Sequence, residues 1–258
     1  GKDCPITYGE LIKDRPIFAF DKVRYYKEAI GGVVAKTEEL ALIAVDKIKV
    51  TYNPLPVIID PKDALEEKDV IIREVPPSSE VVYNPIEGTN IFHHVVIKKG
   101  NTKEAFKEAG LVVENEFRIG SMNHVQIEPH GAIALWELDG TLTVWSSTQA
   151  PFTVRATLAE IFELPINKVR VIAYYVGGGF GGKSDVGIEP MVALLAKHTP
   201  GHPVKVILSR EEVFHGTFLR GNFWGKVKTA VTKEGKIMAE EVVLPWDLVV
   251  VVSLEERL

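Results

Sequence analysis

The sequence predicts an α+β fold, and three observations carry that reading. Apolar residues recur at helical spacing in some segments and at strand spacing in others, and the two kinds alternate irregularly instead of as a repeating β-α-β unit. A hydrophobic share of 46% and a charged share of 25% are those of an ordinary globular chain. The 258 residues suffice for one large domain or two modest ones.

Taken in order, "KVRYYKEAIGGVVA" (22–35) reads as a strand and "TEELALIAVDKIK" (37–49) as a helix. Thr37 supplies the cap, and Glu38 and Glu39 stand in the first turn, where the helix dipole favours carboxylates. "VTYNPLPVII" (50–59) completes a strand, helix, strand block. From Pro61 to Asn90 periodicity fails while Pro76, Pro77, Ser78, Ser79, Pro85 and Gly88 accumulate, which predicts an extended connection. A β-like run follows at 91–100, then a helix in "NTKEAFKEAG" ended by Gly110. "LVVENEFRI" (111–119), "GAIALWELDG" (131–140) and "TLTVWSSTQ" (141–149) read as strands, the last two as a hairpin about Asp139-Gly140. A helix in 151–164, a strand in "KVRVIAYYV" (168–176), a glycine-rich loop, a helix in 188–199, a strand in "PVKVILS" (203–209) and β-like material in 224–244 complete the order.

Composition excludes several classes of function. The net charge of −5 lies on interspersed Lys and Glu, so no basic stripe offers a nucleic acid a track. The single cysteine, Cys4, makes no intrachain disulfide and belongs to no metal-binding Cys/His spacing, as expected of a reducing cytoplasm. The most apolar run, at 242–254, is short and interrupted by Pro245 and Asp247, so neither a membrane span nor a secretory leader is expected.

"YYVGGGFGGKSD" (174–185) matches three patterns with different consequences. Gly177, Gly182, Lys183 and Ser184 fit a triphosphate loop; Gly177, Gly179 and Gly182 fit a dinucleotide fingerprint. The third reading is a loop whose backbone approaches another bulky cofactor closely because no Cβ intervenes; a plain tight turn is the bland alternative. Both nucleotide readings need a helix that begins at the loop, since the phosphate rests on free helix-terminal amides. Pro190 is favoured in a first turn and disfavoured inside a helix, so the next helix is expected to start near Glu189, leaving "KSDVGI" between. The next strand ends in Ser209 and Arg210, with no magnesium-binding Asp, and Glu211 lies too far on for a ribose contact. Lys183 then reads as a structural or solvated lysine. His124, Glu128 and His130 stand at even spacing and would share one face of a strand, where a metal would find two nitrogens and a carboxylate; Pro129 argues against a regular strand there.

Four ordered segments resemble the large subunit of the molybdenum hydroxylases, the xanthine dehydrogenase, aldehyde oxidase and carbon monoxide dehydrogenase family. Residues 20–65 resemble the end of that family's α/β hammerhead domain. "NHVQIEPHGAIALWE", "VWSSTQAPFTVRATLAEIFELPINKVRVIAYYVGGGFGGKSD" and "GHPVKVILSREEVF" resemble successive parts of its first molybdopterin-binding domain. The resemblance implies a partial hammerhead domain over 1–65, a connecting segment over 66–90 and part of the first molybdopterin-binding domain over 91–258.

It also implies chemistry. In the family a molybdenum-molybdopterin cofactor oxidises the substrate, a metal-bound hydroxide attacking carbon while hydride passes to the metal centre. Electrons leave through iron-sulfur clusters and flavin (FAD), often on partner subunits. By this resemblance Gln149, Gly178, Gly179, Phe180, Gly181 and Gly182 hold the cofactor, with the Phe180 amide as a donor and the Gln149 carboxamide at the metal's ligands. Ser184 stands where xanthine-oxidising members carry Glu, which disfavours xanthine and leaves aldehydes, aromatic thioesters and N-heterocycles as substrates. The family's second molybdopterin-binding domain, with its catalytic Glu, lies beyond this chain, so no catalytic residue is assigned, the chain reads as a fragment or truncated subunit, and it is expected to be inactive alone. Its expected partners are the iron-sulfur and flavin subunits or the missing molybdopterin-binding part; self-association through the apolar run about Val249 to Val252 is also expected, because a partial domain leaves apolar surface uncovered. A non-catalytic binding or assembly protein with the same fold, and a triphosphatase, remain as alternatives.

Overall fold

The computed structural model describes residues 4–9, 13–72, 86–91, 93–246 and 250–257. In chain order the elements are β1 (Thr7–Tyr8), β2 (Arg15–Pro16), α1 (Glu38–Val45), α2 (Pro61–Glu66), β3 (His93–Lys99), α3 (Thr102–Glu108) and β4 (Leu111–Ile119). There follow β5 (Gly131–Trp136), β6 (Leu142–Ser146), α4 (Pro151–Ile161), β7 (Val169–Ile172), α5 (Glu189–Lys197), β8 (Val204–Ile207), α6 (Arg210–Gly216), β9 (Phe223–Val231), β10 (Ile237–Trp246) and β11 (Val250–Arg257). The α+β expectation is borne out. The chain forms two compact units, one of Gly1–Asn53 with Asn123–Leu219, the other of Pro54–Met122 with Arg220–Leu258.

In the first unit β5 and β6 form the expected hairpin, with Ala134 opposite Val144, and the sheet order is β7-β6-β5-β8. β5 alternates buried and half-buried residues, so one face is apolar, and α4 and α5 cover that face. Val154 and Leu158 of α4, Val192, Ala193 and Ala196 of α5, and Ala132, Ala134, Leu142 and Val144 of the sheet share one core. Each buried Val or Leu there contributes roughly 1.5–3 kcal/mol. The Trp136 indole N–H donates to Ala193 O at 2.8 Å, fixing α5 to β5. β6 and β7 are parallel neighbours, so their carboxyl ends lie at one edge of the sheet. That topology puts the segment after β6, with Gln149, beside the glycine loop after β7.

The helix at 37–49 is present as α1, and the Thr37 hydroxyl accepts from Leu40 N at 3.3 Å. The strands expected at 22–35 and 50–59 are not formed; a strand exists through pairing, and among the described residues neither segment finds a ladder partner. Lys27 interrupts the first with φ 64°.

The second unit holds the sheet β3-β11-β10-β9-β4. β11 is interior, antiparallel to β10 with Leu254 opposite Val242 and parallel to β3 with Val252 opposite Val95. In its described part, from Val250, the run expected to make a contact about Val249 to Val252 has both backbone edges paired within the sheet. Ala105 of α3 packs on Ala230 and Ala239, and Ala64 of α2 on Ile58, Ile72, Ile91 and Val243. α2 falls where sequence periodicity fails; Asp60 accepts from Lys62 N at 2.8 Å and Pro61 opens the first turn. Of the segment 66–90 expected as an extended connection, 73–85 lies outside the described residues, and Asn90 anchors the rest. Its side chain accepts from Ile72 N at 2.9 Å and donates to Val70 O at 2.9 Å.

Candidate functional site

β7 ends at Ile172, and α5 begins at Glu189 with Pro190 in its first turn, as the position of that proline predicts. Between them the glycine loop makes two tight turns, Gly182 N donating to Gly179 O at 2.8 Å and Ser184 N to Gly181 O at 3.2 Å. Gly178, Phe180 and Gly181 take φ of 96°, 53° and 94°. Phe180 has a Cβ, so its left-handed backbone costs about 1–2 kcal/mol and persists because the turns around it fix it.

Gln149 lies against this loop. Its Oε1 accepts from Gly181 N at 3.1 Å and Lys183 N at 3.3 Å, and its own backbone N–H donates to Lys183 O at 2.8 Å. A Cβ on Gly179 would collide with the Gln149 side chain, so either that carboxamide, held by Gly181 N and Lys183 N, or the loop would have to shift. The loop amides that converge do so on a protein oxygen and not on an anion hole. Together with the late start of α5 and the burial of Lys183, this rejects the triphosphate reading.

The amides of Gly178, Gly179 and Phe180 have no acceptor among the described residues. Gln149 Nε2 likewise has no partner there, and Gln149 is exposed. The Phe180 side chain is 74% exposed, and Tyr174, Tyr175, Ile127 and Phe152, on the segments flanking the loop and Gln149, are more than two-thirds exposed. Behind the loop a void of about 10 Å³, the space of about one water, is lined by His130, Ser146, Lys183 and Glu189.

The segment 124–130 supports the loop from beneath. Its even-numbered residues face the loop, and Glu128 and His130 make hydrogen bonds to it. Glu128 Oε2 accepts from Gly177 N at 2.7 Å and from Lys183 Nζ at 2.8 Å. His130 Nε2 lies 3.0 Å from Gly182 O, and His130 Nδ1 lies 3.2 Å from Gln126 Nε2. A carbonyl accepts and an amide NH₂ donates, so the ring is assigned as the neutral tautomer protonated on Nε2. Burial pushes the His130 pKa down, against the pull of the Gly182 carbonyl. For Glu128, partial burial acts upward, but the hydrogen bonds from Lys183 and Gly177 outweigh it and hold the carboxyl below its ordinary value. Among the described residues no three His, Cys, Asp or Glu side chains are grouped to hold a metal.

The loop's exit is tied down as well. Arg15 donates to Val186 O at 2.8 Å and to Asp185 Oδ2 at 3.1 Å, and its guanidinium lies 4.2 Å from the Phe218 ring centre. Ser184 is exposed at this exit. Glu189 is buried, accepts from Ser146 Oγ at 2.6 Å and Gly187 N at 2.8 Å, and is pushed upward in pKa by its burial. The sequence singled out Gln149 and the glycines and read Lys183 as structural or solvated; the support given by Glu128 and His130 was missed, although their period-2 spacing before Gly131 was visible.

A family model described as a molybdopterin cofactor-binding domain matches residues 83–250. The chain is 33% identical over 248 residues to a probable xanthine dehydrogenase subunit from Bacillus subtilis, covering 95% of this chain and 31% of that protein. It is 36% identical over 235 residues to the nicotinate dehydrogenase large molybdopterin subunit of Eubacterium barkeri, covering 91% of this chain and 52% of that one. The fold resembles the aldehyde oxidoreductase of Desulfovibrio gigas with a TM-score of 0.78 and 24% identity, covering 98% of this chain and 29% of that chain. The chain thus spans about half or less of the length of these proteins.

Proposed function

The chain belongs to the molybdopterin cofactor-binding domain family of the molybdenum hydroxylases, and from that premise we propose that its glycine loop and Gln149 form one wall of a molybdenum-molybdopterin site in a hydroxylase or dehydrogenase. One observation carries this: three consecutive amides, Gly178 to Phe180, without acceptors among the described residues, beside a glutamine whose NH₂ is also without a partner. Buried or covered, such donors are costly to leave unmet, so they fit a ligand rich in oxygen and sulfur acceptors. Gln149, Gly178, Gly179, Phe180, Gly181 and Gly182 would hold that group, the glycines by close approach and Phe180 N and Gln149 Nε2 as donors. When bound, the group supplies two-electron oxidation of a carbon with oxygen taken from water. The protein's part is to fix donors in advance of the charge that develops, which spares their reorganisation.

The carboxylates near the loop do not suit a general base. Glu128 accepts from two donors and is held below its ordinary range, Asp185 is paired with Arg15, and Glu189 is buried behind the loop. We propose that the base comes from a segment or subunit outside this chain, so that the isolated chain does not turn over. Ser184, exposed at the loop exit, presents a neutral hydroxyl, which favours an aldehyde, an aromatic thioester or an N-heterocycle over xanthine. Iron-sulfur and FAD-bearing subunits would take the electrons. Residues 1–65 would then be part of a hammerhead domain and 91–258 part of the first molybdopterin-binding domain. The test is elemental analysis of the full-length protein purified with its accompanying subunits: about one molybdenum per chain is expected, and a complete complex devoid of molybdenum would overturn the proposal.

A further inference from the structure

We propose that Glu128 and Lys183 form a partly buried brace that sets the conformation of the glycine loop and are positioning residues for the site, an inference that rests on the cofactor reading above for its purpose but not for its geometry. Glu128 Oε2 holds Gly177 N at the loop's entrance, and the same oxygen receives Lys183 Nζ from the loop's exit. The Lys183 side chain, 1% exposed, therefore spans the loop on its inner side, while Glu128 is 36% exposed.

The remaining backbone contacts complete the pattern. Gln149 holds Gly181 N and Lys183 N, His130 holds Gly182 O, and Gly182 N returns to Gly179 O. Every amide from Gly177 to Ser184 is thus engaged except the three of Gly178, Gly179 and Phe180. The brace joins the two points between which those three are slung.

Stability alone does not account for a lysine there. Stripping an ammonium of water is unfavourable, and an apolar side chain of equal volume would fill the same space without that penalty. A methionine would fill it but would not bind the entrance to the exit. A charge pair does both, and its directional hydrogen bonds fix the span that the free amides must bridge.

The test uses the full-length protein with its accompanying subunits, and reads hydrogen exchange in the 177–184 peptide, the thermal midpoint and the molybdenum content after gel filtration. Lys183→Met leaves no buried charge behind, because the remaining carboxylate is partly solvated, so the fold should persist. It should speed exchange in the loop about tenfold or more, leave β5, β6 and α4 near their original rates, and lower retained molybdenum several-fold. Glu128→Gln should lower the midpoint, since it strands the ammonium; adding Lys183→Met to it should restore the midpoint but not slow loop exchange. Wild-type loop exchange in Lys183→Met and in the double variant overturns the brace, as does acceleration spread equally over β5, β6 and α4. Full molybdenum retention with a loosened loop overturns its role in positioning. Wild-type protein without molybdenum overturns the cofactor reading, while the exchange measurements still decide the brace.

Discussion

At Gly179 the backbone passes so close to the Gln149 side chain that a Cβ forces one of them to move. Gly179→Ala must therefore displace either the loop or the carboxamide, and overpacking of this kind costs about 1–3 kcal/mol. Its denaturation midpoint should fall accordingly, and its retained molybdenum with it. His130 makes a second prediction. Burial lowers its folded pKa, so its contribution is complete above the unfolded value of about 6.5 and is lost as pH falls through that value toward the folded one. Glu189 acts with the opposite sign: its raised pKa favours the fold at low pH and less so as pH rises. Comparing thermal midpoints at about pH 7.5 and 5.5, either side of the ordinary imidazole value, in the wild type and in His130→Gln isolates the imidazole, and the wild type should lose more on acidification. The closeness of Gln149 to the glycine loop was legible because both lie in segments that resemble family sequence. The partner of Lys183 was not, because Glu128 lies 55 residues earlier and spacing along the chain carries no sign of pairing across it.

Elements with local signals were read correctly. Thr37 caps α1, Asn101 caps α3, and Pro190 fixes the first turn of α5. α6 was missed although its start carries a full capping box, Ser209 accepting from Glu212 N and Glu212 accepting from Ser209 N. Ser209→Ala should cost about 1 kcal/mol, within roughly 0.5–2, measured by chemical denaturation. The effect should reach the loop's support, because Arg210 in that first turn donates to Gln126 O at 2.6 Å and Ile127 O at 2.8 Å. Strands were overread where apolar alternation lacked a partner, as at 22–35, since pairing is a property of two segments and sequence shows one at a time. α1 shows the converse: its Leu40, Leu42, Ile43 and Val45 satisfy a helical pattern, yet the helix buries none of its residues.

For the whole molecule, α1 and the segment after it expose Leu40, Leu42, Ile43, Val45, Ile48 and Val50, apolar side chains that monomers seldom leave open together. The isolated chain should associate with concentration, visible as a rising mass in light scattering; a constant monomer mass across the range would contradict this. The two-unit division adds a consequence for how the chain is made. Residues of the first unit are inserted between the two halves of the second, and β3 and β4 form the opposite edges of a sheet whose three middle strands all come later in the sequence. On the ribosome both edge strands emerge first and must wait, unpaired, while Asn123–Leu219 is translated and its sheet closes around its own hairpin. Nascent chains halted after Leu219 should resist protease across β5 to β8 and be cut readily between Pro54 and Met122. Waiting edges of that kind recruit other strands, so a slow ribosome, and not only a weak fold, would set how much of this protein escapes aggregation.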